Sequence, residues 1–287
     1  MKVIDLGPKE IIDHSVQLIN PFNYWRKTKG KGIKVAVLDT AVYPHNEFKD
    51  RICGGINLTS ANHNDWLDKT GTQGDHCTFC SGLIAAQADG RGIIGVAPEC
   101  ELYIVRVLNN KSLGTLEWLK NGINWCIRND IDIINLSLGF SKDYPQLHDA
   151  VVNAYNAGII CVAAAGNNRY SPVEYPAAYK EVLAISAVQY DKQIAKFASA
   201  GQQIMVVAQG VNVISTLPKN LYGQASGTSF STPLIAGSLA LIQSHAKQTM
   251  GRKLTNQEVT QFIIEHCEDL GPKGFDNSYG YGMFMFN

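Results

Sequence analysis

The chain has 287 residues, 45% of them hydrophobic and 17% charged, and its formal charges sum to zero. That length suffices for one large domain with a full core, and the ordinary composition excludes a disordered or fibrous chain. Zero net charge gives no support to nucleic acid or an acidic membrane as partner, and no apolar run approaches the ~18 residues of a membrane span.

The first residues, MKVIDLGPKEIIDHS, carry Asp5, Lys9, Glu10 and Asp13 where a secretory signal needs an apolar run, so export by that route is not expected. Seven scattered cysteines (Cys53, Cys77, Cys80, Cys100, Cys126, Cys161 and Cys267) are an odd number, and several lie in apolar runs. They read as free thiols of a cytoplasmic protein. Residues 33–39, IKVAVLD, form a continuous apolar run ending in an acid, the pattern of a parallel strand covered on both faces. A helix is predicted over 77–88 and a strand over 102–108. An amphipathic helix over 116–129 follows, with Leu116, Leu119, Ile123 and Cys126 along one stripe. Then come a strand over 131–138, a helix over 146–158 closed by Gly158, and strands over 159–165, 182–188 and 204–208. The last predicted helix covers 233–246. Such alternation predicts an α/β three-layer sandwich with a mostly parallel central sheet, whose ligands bind beyond the C-terminal ends of the strands. Asp39 ends its strand, Asn167 lies just past another, and Ser229 stands at the mouth of a helix.

A serine hydroxyl becomes a nucleophile when an imidazole takes its proton, and the imidazole needs a carboxylate to hold its tautomer. The developing oxyanion then needs preorganised donors. The segments VAVLDTA (Asp39), GDHCTFCSGLIAA (His76), AAAGNN (Asn167) and GTSFSTPLIAG (Ser229) offer these parts. Each segment alone has an ordinary structural reading, as a cap, a core histidine or a turn. In order and together they resemble the subtilases, from about Val16 to the C-terminus. The resemblance implies Ser229 as nucleophile, His76 as general base and then acid, Asp39 as its orienting carboxylate, and Asn167 with the Ser229 amide as oxyanion donors. The chain departs from the family at Asp39-Thr40-Ala41, where Gly is common after Asp-Thr, and at His76-Cys77-Thr78-Phe79, where His-Gly-Thr-His is common. Cys77 and Cys80 form a C-x-x-C without a second such pair, so a helix with a buried Cys80 is the reading rather than zinc. Some subtilases place a cysteine at that position beneath the histidine.

The resemblance further implies that a peptide or protein substrate adds as a strand between Ser112-Leu113-Gly114 and Ser137-Leu138-Gly139. Leu108, Leu116, Leu119 and Leu138 match the apolar pocket for the side chain four residues before the cut. Leu119 reads equally well as helix core. Ala164-Ala165-Gly166 and Ser137-Leu138-Gly139 line the primary pocket, and Glu174, before Tyr175-Pro176, falls at its floor. A carboxylate there favours Lys or Arg before the scissile bond, unless the short 167–175 loop turns Glu174 to solvent.

For calcium, a structural cofactor of the family, Glu47 and Asp89 match carboxylate positions, with Gln87, Arg91 and Ile93 supplying side-chain or backbone oxygens. Asp89-Gly90 also reads simply as a turn. LINPFNYWRKTKGKG leads almost directly to the first catalytic strand, which resembles the intracellular subtilisins rather than forms with a long prodomain. Residues 1–15 are expected to be an arm, crossing the cleft at most, and 16–287 one peptidase domain. Two further readings stand beside a general endopeptidase: a narrow precursor-processing peptidase and a non-catalytic peptide-binding relative.

Overall fold

The computed structural model describes residues 1–7, 9–169 and 171–287. In chain order the elements are β1 (Lys2–Ile4), α1 (His14–Ile19), α2 (Phe22–Trp25), β2 (Lys34–Asp39), β3 (Ile52–Asn57), α3 (Asp75–Ala85), β4 (Glu101–Arg106), α4 (Leu116–Arg128), β5 (Ile133–Leu136) and α5 (Pro145–Asn156). They continue with β6 (Ile160–Ala164), β7 (Val182–Val188), β8 (Ile204–Gln209), β9 (Val213–Leu217), β10 (Leu221–Ala225), α6 (Thr228–Met250), α7 (Asn256–Glu265), β11 (Cys267–Glu268) and β12 (Met283–Phe284). Nine strands make one sheet in the order β11-β12-β8-β7-β6-β5-β2-β4-β3, parallel throughout except for β11.

The continuous apolar strands are explained by two cores. Along β2, Val35 and Val37 point into one and Ala36 and Leu38 into the other. In β6, Ile160 and Val162 alternate with Cys161 and Ala163 in the same way. Successive side chains of a strand leave on opposite faces, so a sheet covered on both sides has no polar position to spare. The first core is closed by α3, α6 and α7, and the second by α4 and α5. Together they form the three-layer sandwich. The stripe on α4 buries Leu119, Ile123 and Cys126, with Gly122 between them, while Leu116 packs at the edge.

The strand order turns at β2, which has β4 on one side and β5 on the other. Ligand crevices open at such a switch point, outside the carboxyl ends of the strands. Asp39 ends β2, Ser137 follows β5, and the Ala165–Asn167 turn follows β6.

A smaller sheet, β1-β10-β9, lies apart from the large one. The first arm strand pairs antiparallel with β10, Ile4 opposite Tyr222, and Ile11 bridges to Ile93. The described part of the arm therefore follows β10 and the 87–94 loop. No described arm residue lines the cleft below.

Candidate active site

Helix α3 carries His76 one residue inside its start. The turn before it is organised by the buried Asp68, whose carboxylate accepts from the backbone N–H groups of Thr70, Gly71 and Gln73 and from the Thr70 hydroxyl. Burial works to raise the Asp68 pKa, but those donors outweigh it and hold the carboxyl below its usual value. On the other side α3 is tied to β9: Ser215 Oγ donates to Phe79 O at 2.7 Å and Thr216 Oγ1 to Thr78 O at 2.8 Å. Thus held, His76 places Nδ1 2.7 Å from Asp39 Oδ2. Asp39 is fully buried and the His76 side chain 25% exposed. Burial alone would lower the imidazole pKa, yet the Asp39 charge and hydrogen bond prevail and raise it. Asp39 Oδ1 accepts from Thr40 N at 2.7 Å, which fixes the carboxylate plane.

Ser229 is the second residue of α6. Its Oγ donates to Ser137 O at 3.2 Å, not to the imidazole, so the serine and the Asp39–His76 pair share the Ser137 wall. Asn167 Oδ1 accepts from Thr228 N at 2.8 Å and Thr228 Oγ1 at 3.0 Å. With its oxygen so engaged, the Asn167 Nδ2 group is left as a donor beside the α6 N-terminus, where the first helical N–H groups have no intrahelical acceptor.

The two departures from the family pattern are accommodated by packing. Thr40 Oγ1 accepts from Cys77 N at 3.4 Å, and Ala41 is fully buried. Phe79 is also fully buried and packs tilted against Phe230 with ring centroids 4.6 Å apart, and Phe230 in turn lies 5.5 Å from the His76 ring. The two cysteines of the C-x-x-C part company. Cys80 Sγ lies 3.6 Å from Ser229 O, whereas Cys77 Sγ is 4.0 Å from Ser81 Oγ. Asp39, His76 and Cys80 each bring one ligand atom within 4.8 Å of the others. Burial, with the Asp39 charge adding to it, pushes both thiols well above their ordinary pKa, which disfavours the thiolate.

A cleft of about 370 Å³ opens beside His76, lined by Leu108, Ser112, Leu113, Gly114, Ser137, Leu138, Gly139 and Phe140. Its outer wall is a tight turn. Asn109 N donates to Leu113 O, Asn109 Oδ1 accepts from Lys111 N and Leu113 N, and Leu108 bridges antiparallel to Gly114. Leu119 is not in this lining: it is 2% exposed in the second core, which settles its double reading in favour of packing. Phe140, absent from the expected set, follows directly on Gly139 and pairs with Tyr175.

That pairing carries Glu174 inward. Phe140 N and O bond Tyr175 O and N, and Glu174 N donates to Ala165 O at 3.0 Å. The Glu174 side chain lies between the two segments of the expected primary pocket. A Cβ at Gly139 would stand 2.5 Å from Glu174 Oε2, and one at Gly166 3.0 Å from Glu174 Cδ. Both positions therefore need glycine while Glu174 stays where it is. Burial raises the pKa of this carboxyl, and no described residue donates a hydrogen bond to it. Ala164 and Ala165, also expected near this pocket, are buried.

The residues expected to hold calcium surround a buried carboxylate. Glu47 is 4% exposed, Tyr222 donates to its Oε1, and its Oε2 is buried with no partner among the described residues. Burial pushes the Glu47 pKa up to about 7. The Tyr222 hydrogen bond opposes this, and the Asp89 and Glu10 charges add to it. Gln87 N donates to Glu47 O at 2.8 Å. Ile93 is buried, while Asp89 and Arg91 are exposed, with Asp89 Oδ1 accepting from Arg91 N at 3.2 Å. Glu10, not anticipated from sequence, joins them from the arm: its Oε1 accepts from Asp89 N at 2.9 Å and Gly90 N at 2.8 Å. An orphaned buried oxygen amid carboxylates fits a hard, oxygen-seeking cation.

The parallel sheet, the crevice at its switch point and the serine, imidazole and carboxylate gathered there define a serine peptidase of the subtilisin type, a hydrolase. The sequence model of the Subtilase family matches residues 30–282, and the chain belongs to that family. It is 41% identical over 267 residues to the major intracellular serine protease of Bacillus subtilis (strain 168), covering 90% of this chain and 83% of that protein. It is 38% identical over 269 residues to an intracellular serine protease of Paenibacillus polymyxa, covering 91% and 81%. Subtilisin E of Bacillus subtilis (strain 168) is 37% identical over 263 residues, covering 90% and 65%. No helix among the described residues is long and apolar enough to cross a membrane.

Proposed function

We propose that the chain is an endopeptidase that cleaves peptide bonds through an acyl-enzyme on Ser229. The observation that carries this reading is the 2.7 Å pair of His76 Nδ1 and the buried Asp39, at a cleft lined by Ser137, whose carbonyl also accepts the Ser229 hydroxyl. With Nδ1–H donated to Asp39, Nε2 is the free base. Ser229 turns from Ser137 O, passes its proton to Nε2 and attacks the substrate carbonyl carbon. Asn167 Nδ2 and the Ser229 N–H receive the oxyanion. His76 returns the proton to the leaving amine, and water releases the acyl group by the same route. Asp39 stays ionised throughout.

The substrate runs as a strand between 112–114 and 137–139, with Glu174 selecting Lys or Arg before the scissile bond and Leu108 and Leu138 facing an apolar residue three positions upstream. Glu47, Gln87 and Asp89, with the backbone of Arg91 and Ile93, would hold a calcium ion that braces the loop and takes no part in the reaction. Residues 1–15 are read as an arm on the peptidase domain 16–287. The names of the intracellular relatives support a cytoplasmic location. A fluorophosphonate probe tests the reading: it should label Ser229 in the wild type and nothing in Ser229→Ala. An unlabelled wild type would point to a peptide-binding relative instead.

A further inference from the structure

Helix α6 contains a proline at position 233. In an α-helix the N–H of that residue would bond the carbonyl four residues earlier, which is that of Ser229. Proline has no N–H, and its ring crowds that same carbonyl. The residue that carries the reactive hydroxyl therefore has a peptide oxygen that lacks its i+4 helical donor.

The donors come from elsewhere in the fold. Ser137 Oγ donates to Ser229 O at 2.7 Å, and Cys80 Sγ lies 3.6 Å from the same oxygen. The Ser137 hydroxyl is itself aimed, since Asn135 Nδ2 donates to it at 3.1 Å. Asn135 is fully buried in β5 and Ser137 is 4% exposed, so neither is shared with solvent. The contact is also reciprocal: Ser229 Oγ donates back to Ser137 O. Ser137 thus grips Ser229 at two points, by its side chain on the backbone and by its backbone on the side chain.

We propose that the Ser137 hydroxyl is a positioning residue for the nucleophile. It replaces the helical donor that Pro233 removes and so holds the 229–230 peptide plane, and with it Ser229 Oγ, in reach of His76. This inference rests on Ser229 being the nucleophile and adds a role for a side chain whose backbone was assigned to the substrate groove. A purely structural role would move stability or KM. A positioning role moves kcat, because a misplacement of the reacting atom is felt in the chemical step.

The test uses the full chain and a chromogenic peptide cleaved by the wild type. Ser137→Ala should lower kcat about tenfold or more with KM within twofold, and slow fluorophosphonate labelling in proportion. Ser137→Cys, similar in size and a weaker donor, should fall between the two. The decisive variant is the double mutant Ser137→Ala/Pro233→Ala, in which residue 233 regains an N–H for the Ser229 carbonyl. It should recover at least threefold in kcat over Ser137→Ala. Retention of more than half of wild-type kcat in Ser137→Ala, a loss confined to KM, or a double mutant no faster than the single one would overturn the inference. Should Ser137→Ala fail to fold, Ser137→Cys decides alone, and a kcat equal to wild type overturns it. A wild type that is labelled at Ser229 keeps the proposed function intact in each of these cases.

Discussion

Glu174 Oε2 lies so close to Gly139 that a methyl group there would meet it at 2.5 Å, and the same side chain leans on Gly166 from the other side. A carboxylate wedged between the two backbone segments of the proposed primary pocket, with no described donor, is an electrostatic demand that a substrate can meet. Leaving it unpaired beside an apolar side chain costs more than a missing methylene. Glu174→Gln should lower kcat/KM for Lys and Arg substrates by tenfold or more while sparing Leu and Phe substrates. A wild type that already prefers Leu or Phe, or an equal loss on all substrates, would mean that Glu174 does not read the substrate.

The imidazole predicts a pH profile. Asp39 raises the His76 pKa above the ordinary value of about 6.5, and in the proposed mechanism only neutral His76 accepts the serine proton. The acid limb of kcat/KM should therefore have its midpoint above pH 6.5. In Asp39→Asn the limb should move down, because burial then acts without the opposing charge, and kcat should fall by about 10⁴ as the tautomer is lost. For stability the sign follows from the same shift. The pair's contribution is fully present below about pH 6.5 and is lost as pH rises through the raised folded value. A wild-type limb centred below pH 6 would contradict this.

The Asn167 side-chain oxygen accepts from Thr228, which leaves its amide nitrogen as the oxyanion donor of the proposed mechanism. Asn167→Ala should reduce kcat by about 10²–10³ with little change in KM, the size of effect known when a subtilisin loses such a donor. A loss under threefold would remove Asn167 from the oxyanion site.

Much of this was legible in sequence because the information is local. The apolar runs of β2, β6 and β7 and the stripe of α4 announce themselves, and each reactive residue sits in its own short motif. What was missed depends on distant contacts. Helix α6 begins at Thr228 rather than near 233 because the side chain of Asn167, 61 residues away in sequence, takes up its first N–H. The strands β1, β9 and β10 are short and partly polar, and only their mutual pairing makes them strands. Helix α7 did leave a signal, the capping box of Thr255 and Glu258. Glu10 reaches the Asp89 loop only because the arm folds back, and the Ser137 hydroxyl acquires its role only where β5 meets α6.

Calcium should raise Tm, because the unfolded chain offers no preformed site. At free calcium one hundred times Kd the gain is about 2.7 kcal/mol, or on the order of 5 °C for a chain of this size. Asp89→Ala and Glu47→Gln should each remove most of that shift. If chelator leaves the Tm of the wild type unchanged after metal has been stripped and restored, the loop is only a turn.

The most direct measurement is cleavage of a random peptide library by the wild type beside Ser229→Ala. Wild type should cut internal bonds, while the variant should lose at least 10³-fold in kcat/KM and keep its thermal unfolding transition, since only one hydroxyl and its 3.2 Å hydrogen bond to Ser137 O are removed. A Ser229→Ala protein that keeps a tenth or more of wild-type cleavage would contradict the assignment of Ser229, and with it the account of Asp39 and His76 as its partners.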